Sequence, residues 1–162
     1  MEHPASLTCC FTGHRTVPVG EKAQIEGALL KAIAFLYTKG YRHFIAGGAL
    51  GFDTMAANAV LSLKKRVKDI TLTLILPCAD QSDAWRSTDK VVYEAQKSAA
   101  DEVICLSEKY YDGCMQKRNA EMVRRSAACI AYMTKPRSGA GQTVRMAEKA
   151  GLWVINLAAA PL

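Results

Sequence analysis

The chain has 162 residues, half of them apolar and 22% charged, with a net charge of +6 and a sequence pI near 9.1. That composition fits one globular, soluble domain with a sizeable core. It excludes a membrane-spanning segment, since no apolar run reaches roughly 18 residues. The opening MEHPASLTCCF lacks the basic stretch and long apolar run of a secretory signal, so the expected location is the cytoplasm.

Strand-like and helix-like patterns alternate along the chain. Leu7 to Thr12 is predicted as the first strand and Glu21 to Lys39 as the first helix, where Ile25, Ala28, Leu29, Ala32, Ile33 and Leu36 repeat at helical spacing. Gly40 is the expected C-cap. His43 to Ala46 is a second strand, Phe52 to Arg66 a second helix, and Ile70 to Leu76 a third strand ended by Pro77. Thr88 to Ala100 is helical, Glu102 to Leu106 extended, and Cys114 to Arg125 helical. Ala128 to Met133, Thr143 to Ala150 and Leu152 to Leu157 complete the series as strand, helix and strand. The pattern predicts an α/β fold: one domain over residues 1–162, with an open, mostly parallel sheet of about six strands and helices on both faces. The continuously apolar strands suit a sheet covered on both sides. The apolar tail NLAAAPL either forms an exposed patch or closes the core.

The basic residues are scattered. The densest clusters, Lys64-Lys65-Arg66 and Arg124-Arg125, fall late in predicted helices, where positive charge complements the helix dipole. The six cysteines form no CxxC pair, so their spacing points to neither a zinc site nor a disulfide framework, and no metal is expected.

In such sheets ligands sit beyond the carboxyl ends of the strands, near the reversal of strand order. An order of 3-2-1-4-5-6 would place four loops side by side: FTGHR (Phe11 to Arg15), GGALGFD (Gly47 to Asp53), SEKYYDGCMQKRN (Ser107 to Asn119) and TKPRSGAGQT (Thr134 to Thr143). Glycine-rich turns entering helices leave backbone N–H groups at the positive end of the helix dipole, where phosphate satisfies them. Asp53 is a poor phosphate neighbour. It suits either the ribose-hydroxyl acceptor of dinucleotide sites or an acidic residue in a first helical turn. Arg15 offers a planar fork for phosphate or carboxylate oxygens. His14 can donate to an anion, transfer a proton, or simply fill a loop. Arg118 and Asn119 fall early in a helix beside the expected cleft, on a functional or a merely solvated face. Trp85, Tyr110 and Tyr111 lie in loops at the same edge, to stack on a base or to cap the core.

Taken together, FTGHR, GGALGFDTMAA, the Gln81…Trp85…Tyr93 spacing, AADEVICLS, YYDGCMQKRNAEMV and SGAGQTVRMAEKAG resemble the YpsA-like branch of the SLOG superfamily, which groups Smf/DprA proteins with LOG phosphoribohydrolases. The resemblance covers nearly the whole chain. It implies a Rossmann-like, three-layer domain that binds a nucleotide or nucleotide-derived ligand, with ADP-ribose or NAD derivatives as examples. It also implies a homodimer. By position, Thr12, Gly13, His14 and Arg15 match the first motif, and Gly47, Gly48, Gly51 and Asp53 the second. Arg118 and Asn119 match an RN pair. Ser138, Gly139, Gly141, Gln142 and Thr143 match the last loop. Two departures bear on activity. Ala140 stands in SGAG where a Gly-Gly-Thr core is usual. Val144 and Arg145 follow Thr143 where phosphoribohydrolases carry a glutamate, the first acid here being Glu148.

Three functions compete on this reading: nucleotide binding or sensing without turnover and without a required cofactor, N-glycosidic cleavage of a nucleotide with Asp53 as the catalytic candidate, and single-stranded DNA binding of the DprA kind. They are ranked in that order.

Overall fold

Each apolar run becomes a strand, and the sheet they build decides where the glycine-rich loops meet. A computed structural model describes residues 2–159. The strands are β1 (Thr8–Gly13), β2 (His43–Ala46), β3 (Thr71–Leu76), β4 (Glu102–Cys105), β5 (Ala128–Tyr132) and β6 (Trp153–Asn156). The helices are α1 (Lys22–Thr38), α2 (Phe52–Lys64), α3 (Ser87–Ala99), α4 (Cys114–Arg124) and α5 (Gly139–Lys149). All five strand pairings are parallel.

Side chains alternate between the two faces with the strand period of two. Phe11, Phe44, Ala46, Leu72, Leu74, Ile130 and Tyr132 share one core with Ile25, Leu29, Ile33 and Leu36 of α1 and with Phe52, Ala56 and Val60 of α2. Cys10, Ile45, Ile75, Cys129 and Ala131 face the opposite way, against Met122 and Val123 of α4 and Val144 and Ala147 of α5. Burying one such large side chain contributes about 1.5–3 kcal/mol, so both layers are held by the sheet. Helix α3 packs on α2, where Gln96 Nε2 donates to the Thr54 carbonyl at 3.0 Å and to Asn58 Oδ1 at 2.8 Å.

The strand order is β4-β3-β2-β1-β5-β6, which corrects the expected 3-2-1-4-5-6. The chain steps outward from β1 to β4, then α4 carries it back across to β5, on the other side of β1. The order therefore reverses between β1 and β5. Strand β4 lies at an edge and leaves Val103 and Cys105 exposed, so the continuous burial expected of every strand holds for β1 and β5 but not here.

Three of the five cations in the two basic clusters are held in ion pairs, while Lys65 and Arg66 stay exposed. Lys64 pairs with Asp101, whose other oxygen accepts the Leu72 N–H at 2.8 Å. Arg124 and Arg125 each reach Glu121 at 2.6 Å, and both pair with Glu2. Hydrogen bonding from Arg124, seconded by Arg125, holds the Glu121 carboxyl down to about 2. Of the C-terminal tail, Leu157 packs against the core, while residues 160–162 lie outside the described residues. No helix among the described residues is long and apolar enough to cross a membrane.

Candidate ligand-binding cleft

Where β1 and β5 part, a cleft of about 500 Å³ opens at the carboxyl end of the sheet. Its first wall is the end of β1. Thr12, Gly13, His14 and Arg15 line it. The His14 ring packs edge-on against Tyr132, with centroids 5.7 Å apart, and its Nε2 accepts the Thr134 N–H at 2.9 Å. The neutral ring then carries its proton on Nδ1. Burial, reinforced by the charge of Lys135, depresses the His14 pKa below the ordinary 6.5. The stability this group contributes is therefore fully present above 6.5 and is lost as pH falls through the lower folded value. An NMR titration of the ring protons is expected to place the His14 midpoint below 6.5 in the folded chain. A midpoint above 6.5 would contradict the Thr134 bond. Arg15 is exposed, and among the described residues its guanidinium has no side-chain partner.

The second wall is the start of α5. This helix begins four residues before the predicted Thr143, because Ser138 caps it: the serine Oγ accepts the Gly141 N–H at 3.0 Å and donates to the Lys135 carbonyl at 2.5 Å. Ser138, Gly139 and Ala140 line the cleft, which sets the first-turn amides and the positive end of the α5 dipole beside it. Gly141 packs against the Pro136 carbonyl. Thr143 is fully buried, its Oγ1 donating to the Gly139 carbonyl at 3.0 Å, and Gln142 is exposed. Neither lines the cleft.

The third wall is α4. It presents Met115, Arg118, Asn119 and Met122 from one face, at helical spacings of three and four. Arg118 is only 5% exposed. Its Nη1 donates to the Gly47 carbonyl at 2.5 Å and its Nε to Asn119 Oδ1 at 2.8 Å.

The floor is the loop from Gly47 to Asp53. Asp53 is 6% exposed, and its Oδ2 accepts the Ala49 N–H at 3.3 Å. Burial pushes the Asp53 carboxyl up. Arg118, the loop amides of Ala49 and Gly47, and Arg15 partly oppose that rise. Burial likewise lowers Arg118, opposed chiefly by Asp53. A Cβ at Gly47 would stand 2.5 Å from Arg118 Nη1 and 2.8 Å from Asp53 Oδ2, so only glycine lets the two charges close on that spot. Gly51 has φ +76° and its Cα faces the Arg15 carbonyl, and the next residue, Phe52, donates its N–H to the His14 carbonyl at 3.1 Å. The loop thus locks onto the first wall. Gly48 lies behind it, where Gln81 Nε2 meets the Gly48 carbonyl at 3.5 Å and the Tyr93 hydroxyl at 3.2 Å.

The Gln81…Trp85…Tyr93 group is accordingly a brace. Trp85 packs edge-on against Tyr93 at 5.0 Å and does not line the cleft. Tyr110 does, at the rim, with its N–H on Asp80 Oδ1 at 2.9 Å, whereas Tyr111 is exposed beside it. Sequence reasoning missed the apolar lining of Phe11, Ala49, Met115, Met122 and Ala140. The signal present for it was the position of Met115 and Met122 on the Arg118 face of α4. Among the described residues, Asp53 is the lone carboxylate lining the cleft. Glu148 lies two turns into α5, exposed.

A parallel sheet with its cleft at the strand-order reversal, walled by glycine-rich turns, defines a Rossmann-like domain. The model described as the YspA SLOG family (YpsA) matches residues 9–150, and the chain belongs to that family. The SPbeta prophage-derived protein YoqJ of Bacillus subtilis strain 168 is 31% identical over 139 residues, covering 78% of this chain and 81% of YoqJ. The UPF0398 protein YpsA of the same strain is 28% identical over 114 residues, covering 65% of this chain but 63% of YpsA. In fold, the chain is similar to DNA processing protein A of Helicobacter pylori, a protein described for its single-stranded DNA binding mode. The TM-score is 0.65 at 22% identity, covering 93% of this chain and 64% of that one.

Proposed function

We propose that the cleft binds a phosphate-bearing nucleotide or nucleotide derivative, and that the chain acts by holding this ligand rather than by cleaving it. One observation carries the reading: an exposed, unpartnered Arg15 stands on the same cleft as the first turn of α5. Together they offer a planar cation and helix-terminal amides to one anion. The volume suits a small-molecule ligand. N-glycosidic cleavage has less support. No glutamate directly follows Thr143, Glu148 is exposed far along α5, and Asp53 has Oδ2 on the Ala49 amide with only Oδ1 left to act.

The fold shared with DNA processing protein A supports a second reading, in which the cleft takes nucleotides of a single strand. Against it, Arg124, Arg125 and Lys64 of the two densest basic clusters are held in internal ion pairs, which leaves Lys65 and Arg66 exposed. A thermal-shift series separates the readings. AMP or ADP-ribose at 100 times its dissociation constant is expected to stabilise the chain by roughly 2.7 kcal/mol, with the ligand recovered intact. Release of free base would favour the hydrolase. Stabilisation by an oligonucleotide alone, collapsing as salt rises, would favour the DNA reading.

A further inference from the structure

Asn119 stands on the cleft wall with its amide orientation fixed by its neighbour. Arg118 Nε–H can only donate, and it points at the Asn119 side chain at 2.8 Å. The oxygen must therefore face Arg118, which leaves the Nδ2 hydrogens on the other branch of the amide. Arg118 cannot turn away to release this choice. Its guanidinium is buried and also holds the Gly47 carbonyl. Three other side-chain acceptor atoms on the cleft are engaged in the same manner. His14 Nε2 takes the Thr134 N–H, Ser138 Oγ the Gly141 N–H, and Asp53 Oδ2 the Ala49 N–H. Asp53 Oδ1 keeps its lone pairs, so the donor-only point lies at Asn119 rather than around the whole cleft.

We propose that Asn119 is a specificity-determining residue that acts as a fixed hydrogen-bond donor, so the cleft selects a ligand presenting a phosphate or carbonyl oxygen at that point. A ligand hydroxyl or amino hydrogen directed at Asn119 Nδ2 would meet another donor. The inference rests on the nucleotide reading and sharpens it. The bound molecule is recognised through its acceptor atoms, with the sugar hydroxyls and exocyclic amines directed away from Asn119.

The test is calorimetric titration of AMP and ADP-ribose into the wild-type chain, Asn119→Asp and Asn119→Ala, with the Asn119 side-chain NH2 followed by NMR. Asn119→Asp keeps an acceptor for Arg118 Nε and reverses the polarity toward the ligand. It is expected to fold as well as wild type and to lose about ten- to hundred-fold in affinity. Asn119→Ala removes the donor without adding charge and is expected to lose about tenfold. The wild-type NH2 resonances are expected to shift on saturation with AMP. Binding by Asn119→Ala within twofold of wild type, or an unmoved NH2 signal in the saturated wild type, would overturn the inference and leave the nucleotide reading standing. Failure of the wild-type chain to bind either nucleotide would overturn both.

Discussion

Arg118→Met is expected to destabilise the chain by about 1–3 kcal/mol, the usual cost of leaving a buried polar group without its hydrogen-bond partner. The substitution leaves Asp53 in a site where it is 6% exposed without its main opposing cation, and it leaves the Gly47 carbonyl without its donor. The loss should depend on pH in a definite direction. Burial already holds the Asp53 carboxyl above its ordinary 3.8, and removing Arg118 raises it further. A carboxyl raised in the folded state contributes stability that is present below its unfolded value and lost as pH rises through the folded one. The deficit of Arg118→Met is therefore expected to shrink as pH falls toward the Asp53 pKa and to be largest at neutral pH and above. Denaturant titrations at pH 5 and pH 8 check this. Adding Asp53→Asn should recover part of the loss, since the two residues act as one unit. A deficit under about 0.5 kcal/mol at pH 8, the usual range of an indifferent surface substitution, would show that Arg118 is not the keystone of the loop.

Arg15→Ala is expected to do the opposite: little to stability, much to binding. Arg15 is exposed and packs no core, so its removal should change stability by no more than about 0.5 kcal/mol. A charge-assisted bond to phosphate contributes about 1.5–3 kcal/mol, so AMP and ADP-ribose should bind roughly ten- to hundred-fold more weakly. Adenosine, which lacks the phosphate, should bind the variant and the wild type alike. Titrations of the three ligands into both proteins check the point. Equal loss for adenosine and AMP would remove Arg15 from the phosphate position.

Much of the fold was legible because short apolar runs alternating with helical periodicity admit few other architectures. The bounds of β2 matched, and most other bounds fell within one or two residues. Helix α5 did not, because Gly139-Ala140-Gly141 has the composition of a loop. The helix reaches back through it on the strength of the Ser138 cap. Strand order was not legible either. Alternation of strand and helix does not say which side of β1 a crossover lands on. The edge placement of β4 shows only in the structure, where its four residues alternate between half-buried and exposed.

The site was legible where function shows as an odd residue on a loop. His14 and Arg15 after a strand, and Ser138-Gly139 before a helix, all reach the cleft. It was less legible where residues serve at one remove. Gly47, Gly48 and Trp85 carry the same signature as ligand contacts, yet they shape and brace the loop beneath. Asp53 shares this ambiguity. Its carboxylate lies on the cleft, but its bond to Ala49 N–H and its place beside Arg118 bind it to the scaffold. Met115 and Met122 were overlooked for the converse reason: they share the Arg118 face of α4, but apolar residues on a helix face read as core.

The central claim is that helix-terminal amides and Arg15 converge on one anionic group at the β1–β5 parting. A ¹⁵N-resolved NMR titration of the chain with AMP tests it most directly. The account predicts saturable shifts concentrated at the backbone amides of Gly13, His14, Arg15, Gly139 and Ala140. Shifts scattered over the opposite end of the sheet, or none at saturating nucleotide, would contradict it.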